Sequence, residues 1–267
     1  RSPGQLSPSL GTEASLPCKK NRSSAMERSS ALLLVGGGAV AGALAPNLLR
    51  FFRKGKPAIP WTYQIPEVWT YEEGKMQEGS NRPTSGARKE QTLKKGDHDL
   101  QLYSLGTPNG CKVTIMLEEL NQALGVEYDA WKISFKESDQ FGSDFVKINP
   151  NSKIPAMLDY SFDEEKPVRV FESASILKYL AEKYDSFLVP TDLPGKTECF
   201  NWLIFQVGGG PYMGGAGFGF WYRSAPYKFK FAIDRATIEV KRQLDVLDKE
   251  LATKKYLCGE QYSIADI

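Results

Sequence analysis

Between Leu100 and Leu105 the chain alternates apolar and polar side chains, the period of a half-buried strand. Val113, Met116, Leu117, Leu120 and Leu124 then recur at helical spacing, and Gly125 supplies a stop. Tyr128 to Ile133 reads as a second strand and Asp139 to Ile148 as a short helix. Ala156 to Asp159 and Val168 to Phe171 read as short strands around a charged turn of Asp163, Glu164, Glu165 and Lys166. Ile176, Leu177 and Leu180 mark a third helix. The order βαβαββα predicts a thioredoxin-like α/β layer.

After Leu193-Pro194-Gly195 the strand pattern stops. Lys196 to Val207 is apolar at helical spacing, and Tyr227 to Thr253 predicts a long helix with Val240, Leu244, Leu247 and Leu251 on one stripe. Between them, residues 208–222 mix glycines with aromatics, which suits the wall of an apolar pocket or a long connection. Ser263 is a natural N-cap, and Asp266 stands where its carboxylate can reach back to the Ser263 amide. A helix capped there and followed only by Ile267 predicts an all-α second part that is truncated. The expected organisation is an extension over 1–60, an arm or linker over 61–98, the α/β layer over 99–190 and the helical part over 196–267.

Within the extension, residues 1–30 are polar and rich in Ser and Pro, a composition that predicts disorder. Residues 31–49 carry no charge and are followed by Arg50, Arg53, Lys54 and Lys56. That pairing reads as a membrane anchor or a cleaved targeting presequence ahead of a core helix. Trp61, Tyr63, Trp69 and Tyr71 predict that part of the arm packs against something.

Composition narrows the chemistry. The 267 residues are 41% hydrophobic and 12% aromatic with a net charge of +2, too balanced to argue for a nucleic-acid partner. The single histidine, His98, excludes a histidine-cluster metal site and argues against Ser-His-Asp and Cys-His mechanisms. Cys18, Cys111, Cys199 and Cys258 form no Cys-x-x-Cys pair. Such scattered cysteines fit a reducing compartment, the cytosol or an organelle such as a mitochondrion or plastid.

Three short motifs fall where this layer would carry a ligand. Thr107-Pro108-Asn109-Gly110 lies at the turn from first strand to first helix, where helix amides and polar side chains can hold a thiolate. Ser152-Lys153-Ile154-Pro155 precedes a strand, and a cis bond at Pro155 would turn the Ile154 backbone outward to pair with an extended peptide. Lys153 could there face a ligand carboxylate. Glu172 and Ser173 open the third helix and suit an α-ammonium and an α-carboxylate, both of which a γ-glutamyl group offers. Together they describe a pocket for a peptide-like thiol, glutathione. Each also has a plainer use, as helix caps or a loop proline. Cys111, in the first turn of the first helix, is either an activated thiol or, more commonly for a free cysteine, a small buried hydrophobe.

These motifs, with Leu102–Gly110, Lys112–Leu120, Tyr128–Trp131, Asn149–Ala156, Val170–Ser173 and Lys241–Lys249, resemble the nu-class glutathione transferases, a group related to the fungal nitrogen-regulation prion protein. The resemblance runs from about Trp69 to Ile267. It implies a homodimer that binds glutathione as co-substrate, as many as two per site and without a metal, and reduces small-molecule disulfides or hydroperoxides. It implies that Thr107 and Asn109, flanking Pro108, hold the sulfur, that Ile154 before Pro155 pairs with the cysteinyl backbone, and that Lys153, Glu172 and Ser173 fix the two ends. Asn81 and Gln140 match further glutathione contacts, and Gln206 and Arg235 match positions serving a second glutathione or the neighbouring subunit. Conjugation of electrophiles and non-enzymatic glutathione binding are the rival functions.

Overall fold

The computed structural model describes residues 66–70, 83–185 and 187–267; residues 31–49 and Asn81 lie outside them. The β1 strand (Leu100–Ser104) pairs in parallel with β2 (Asp129–Lys132) and antiparallel with β3 (Ala156–Asp159), which pairs antiparallel with β4 (Val168–Phe171). The order β2-β1-β3-β4 is the thioredoxin-like layer the pattern predicted.

The alternation of β1 sorts its side chains between two cores. Leu100 and Leu102 join Met157, Val170 and the apolar stripes of α1 (Pro108–Leu124) and α3 (Ser173–Lys183) on one face. Tyr103 joins Ile133, Ile154, Ala156 and residues of α2 (Ser143–Ile148) on the other. Gln101 is fully buried yet satisfied: it accepts from Gly96 N–H and Trp131 Nε1 and donates to His98 O and Asp129 Oδ2.

The helix expected over 139–148 is divided. Asp139–Phe141 is a single 3-10 turn, and Gly142 is extended before α2 begins. The arm causes this break. Arg88 N–H donates to Phe141 O at 2.8 Å, and Ser143 N–H donates to Lys89 O at 2.9 Å. A Cβ on Gly142 would stand 2.5 Å from Gln91 Oε1, so the approach needs glycine. Arm residues 88–98 therefore pack against the layer, whereas 66–70, with Trp69, are exposed, and Trp61, Tyr63 and Tyr71 lie outside the described residues.

One expectation for the helical part is corrected. The α4 helix (Leu193–Met213) does not stop at Val207 but runs through Gly208–Gly210 and Pro211. Gly209 faces Gln243 of α5 (Lys230–Leu251), where a Cβ would come within 2.6 Å of Oε1, so this glycine serves close helix packing, while Gly208 faces open space. The aromatics that follow pack on one another, Phe218 on Tyr222 and Trp221 on Phe229, with Gly219–Ser224 forming a short π-helical turn. The α5 stripe is partly covered: Val240 and Leu247 are half-buried, while Leu244 and Leu251 are 49% and 43% exposed. The buried side of α5 carries Ala236 and Gln243 instead, the side that meets α4. Among the described residues, no helix is long and apolar enough to cross a membrane.

One buried charge ties β3 to α3. Asp159, 0% exposed, accepts hydrogen bonds from Lys183 Nζ, Tyr179 Oη and Ser161 N–H. Burial alone would raise its pKa, but these donors outweigh burial and hold the carboxyl below its usual range. Asp159→Ala strands Lys183 and should cost about 3–5 kcal/mol near neutral pH. Because the folded pKa is depressed, this stabilisation is present above the unfolded value of about 4 and lost as pH falls through the folded one. Urea denaturation of both proteins from neutral to strongly acidic pH should therefore show the gap closing.

Candidate functional site

The strand register brings the three motifs to one end of the sheet. Tyr103 of β1 pairs with Ala156 of β3, and Ala156 pairs with Phe171 of β4. The turn leaving β1, the loop entering β3 and the turn leaving β4 thus share an edge. Adjacent strands lie about 4.8 Å apart, so the outer two of these three strands are separated by about 10 Å.

At the first turn, Thr107 is the N-cap of α1: Gly110 N–H donates to its Oγ1 at 3.2 Å, and Cys111 N–H donates to its carbonyl at 2.8 Å. Capping uses the oxygen of Thr107 and leaves its hydroxyl proton free to point elsewhere. Pro108 has no N–H, so among the described residues the amide of Asn109 is the uncapped donor of this turn. Asn109 itself is exposed. Gly110 lets the helix sit directly on β1, for a Cβ there would lie 2.0 Å from Leu105 O and 2.7 Å from Ser104 Oγ.

At the second loop the Ile154–Pro155 bond is cis. Asn149 Nδ2 donates to Lys153 O at 2.7 Å and Asn149 Oδ1 accepts from Asn151 N–H, which pins the loop. Ile154 is nearly buried, while the Lys153 side chain is exposed. A cavity of about 220 Å³ lies beside this loop, walled by Ser152, Lys153 and Phe141 and by arm residues including Thr84 and Arg88. The Arg88 guanidinium stands 3.4 Å from the centroid of the Phe141 ring. Asn109, Ile154 and Ser173 do not line that cavity; the register places their turns at the same end of the sheet.

At the third turn Glu172 has φ +69°, a conformation non-glycine residues rarely adopt. Such outliers concentrate at ligand sites, where the surroundings over-determine the backbone. Glu172 is exposed and makes no side-chain cap, so the first amides of α3 at buried Ser173 remain open to a ligand.

Sequence reading missed Lys112. It is 8% exposed on α1, and its Nζ donates to Gln206 Oε1 of α4 at 2.8 Å. Burial pulls its ammonium below the usual lysine value, against the opposing field of Glu172. The signal was available: Lys112 falls on the apolar stripe with Met116 and Leu120, an unusual place for a cation. The contact sets Gln206 of α4 against Lys112 of α1. Arg235 is not brought there by any described contact; it is exposed on α5 and paired with Glu239 at 3.7 Å. Gln140 is turned inward, 3% exposed, with no hydrogen-bond partner for Oε1 among the described residues. Cys111 is exposed, not buried as a structural cysteine would be, because it lies on the α1 face opposite Val113 and Leu117.

Residues 98–182 match the family described as glutathione S-transferase, N-terminal domain, and residues 200–267 match glutathione S-transferase, C-terminal domain. The chain is 56% identical over 211 residues to the disulfide-bond oxidoreductase YghU of Escherichia coli, covering 77% of this chain and 72% of that one. Among solved structures, a glutathione transferase YghU from Streptococcus pneumoniae complexed with glutathione matches with TM-score 0.71 and 53% identity, covering 77% of this chain and 78% of the other. A glutathione transferase from Burkholderia graminis, with two glutathione molecules bound per subunit, matches with TM-score 0.58 and 44% identity over 63% of this chain and 69% of the other.

The close seat of α1 on β1 is testable through stability. Alanine normally favours a helix over glycine by up to about 1 kcal/mol. Gly110→Ala should nevertheless destabilise the fold by about 1–3 kcal/mol, because its Cβ must displace the β1 carboxyl end. A raised thermal midpoint for this variant would contradict the approach.

Proposed function

From the premise that the chain belongs to the glutathione transferase family, we propose that it is a glutathione-dependent disulfide reductase that also takes hydroperoxides. The observation that carries this reading is the shared sheet edge. An extended tripeptide spans about 10 Å, the distance between the outer two of the three strand ends. Glutathione laid across them puts its sulfur at the Thr107–Asn109 turn and its γ-glutamyl group at the start of α3.

Each end has matching chemistry. The Thr107 hydroxyl, the Asn109 amides and the positive end of α1 hold the sulfur as thiolate. Ser173 and the open α3 amides take the α-carboxylate, and Glu172 takes the α-ammonium. Ile154 pairs with the cysteinyl backbone, and Lys153 faces the glycyl carboxylate. Pro108 and Pro155 shape the two turns, and Asn81 of the arm supplies a further contact. Gln206, held by Lys112, serves a second glutathione beside the first, with Arg235 reaching the same site from the neighbouring subunit of a homodimer. Gln140 backs the arm from within.

The thiolate attacks a substrate disulfide. One new S–S bond forms to glutathione, and the other substrate sulfur leaves as thiolate and is protonated. A second glutathione thiolate then attacks the glutathionyl sulfur of this mixed disulfide. Glutathione disulfide forms and the second substrate thiol is released. Lowering the thiol pKa matters because only the thiolate attacks. The oxidoreductase name of the Escherichia coli relative favours this chemistry over conjugation to electrophiles.

Asn109→Ala should lower turnover with a model disulfide by about 100-fold while the fold is retained. Ser173→Ala should instead weaken glutathione affinity by about 1.5–3 kcal/mol, leaving saturated turnover nearly intact. Steady-state kinetics with glutathione varied separates the two effects. Undiminished reductase activity in the Asn109 variant would remove that turn from the mechanism.

A further inference from the structure

The helical part holds a pair of thiols that the sheet-edge site does not use. Cys199 is fully buried in α4, within the same core cluster as Leu188, Leu203 and Ile264. Cys258 is half-buried in the segment after α5 and packs against that cluster. The Ser263 hydroxyl joins them: it lies 3.4 Å from Cys258 Sγ and is hydrogen-bonded to Cys199, whose thiol also meets that of Cys258. Asp266 holds Ser263 in place, its Oδ2 3.0 Å from both the Ser263 amide and the hydroxyl. The Ser263 hydroxyl is a donor both to that carboxylate and to the Cys258 sulfur.

The two thiols differ in reactivity. Burial first, and then the neighbouring Cys258, push the Cys199 thiol up to about 12. Cys258 is the more accessible sulfur and the natural point of entry.

We propose that Cys199 and Cys258 are a redox modification site: glutathione disulfide converts the pair to an intramolecular disulfide that fastens the segment after α5 to α4. The Cys258 thiolate attacks one sulfur of glutathione disulfide, forming a mixed disulfide and expelling one glutathione thiolate, which takes up a proton. Cys199 then gives up its proton and attacks the Cys258 sulfur. The mixed disulfide breaks, the Cys199–Cys258 bond forms, and a second glutathione leaves carrying the other proton. Both protein thiols are oxidised and one glutathione disulfide is reduced to two glutathiones. Its exposure and isolation leave Cys111 no partner for closure among the described cysteines. The pair stands on its own geometry and does not depend on glutathione binding at the sheet edge.

The test is peptide mapping without reduction. The chain is equilibrated with excess glutathione disulfide, acid-quenched, denatured, alkylated and digested. The peptides of Cys199 and Cys258 should be recovered linked to each other, and dithiothreitol should restore both as alkylated singles. Recovery of Cys258 alkylated, or carrying glutathione while Cys199 is alkylated, overturns the proposal. In Cys199→Ala the Cys258 peptide should retain glutathione, because nothing remains to displace it. In Cys258→Ala, Cys199 should stay alkylatable after denaturation; glutathione on Cys199 there would equally overturn the order of attack.

Discussion

The antiparallel register of β1, β3 and β4 is the constraint on which the site depends. Pairing Tyr103 with Ala156, and Ala156 with Phe171, aligns two outgoing turns and one incoming loop at a single edge. A slip of one residue would exchange the two faces of a strand and so exchange its two cores. Leu100 and Leu102 would then face the layer that now receives Tyr103, while Gln101 would lose its hydrogen bonds. The cores therefore hold the register, and the register holds the three turns at one end of the sheet. Gly110 completes the arrangement by letting α1 stand directly on the β1 carboxyl end.

Buried polar groups link the parts that apolar packing leaves unspecified. Lys112 reaches from α1 to Gln206 on α4, across the boundary between the α/β layer and the helices. Asp159 joins the far end of β3 to α3 through Lys183 and Tyr179. Asp139 anchors the arm, accepting from Lys89, Gln91 and the Ser134 amide. Burial disfavours its charge, yet these donors hold its pKa below the ordinary range. Each of these contacts has directional requirements that hydrophobic packing lacks, so together they select one placement of arm, layer and helix.

The helical part follows different physics. Its close contact comes from missing side chains, with Gly209 opposite Gln243, and its aromatics pack on one another beyond the end of α4. The exposed face of α5 carries Ile238, Leu244 and Leu251. The segment after α5 turns back to the core, where Ile264 N–H donates to Leu188 O at 2.9 Å. Asp266 does reach the Ser263 amide, and the Ser263 hydroxyl lies 3.4 Å from Cys258 Sγ.

Local information determined a great deal. Alternation and helical spacing marked every strand of the layer and the positions of α1 and α3, because each element buries one face and that face must repeat with the element's own period. The turn motifs were readable for the same reason: Thr107 and Ser173 stand at helix starts, where backbone donors must find partners. What escaped was non-local. The break at Gly142 is caused by an arm about fifty residues earlier in sequence, the depth of Lys112 is set by Gln206, and the outward turn of Cys111 by which α1 face the sheet covers. Glycines after Val207 read as a pocket wall or a connection because a glycine's local preference argues against helix, whereas at Gly209 a neighbouring helix at Gln243 favours its lack of a side chain. Sequence alone settled the strands of the layer and the places of α1 and α3, since those follow from contacts within each segment. Tertiary structure alone decided which side chains meet, since those energies depend on partners that periodicity does not identify.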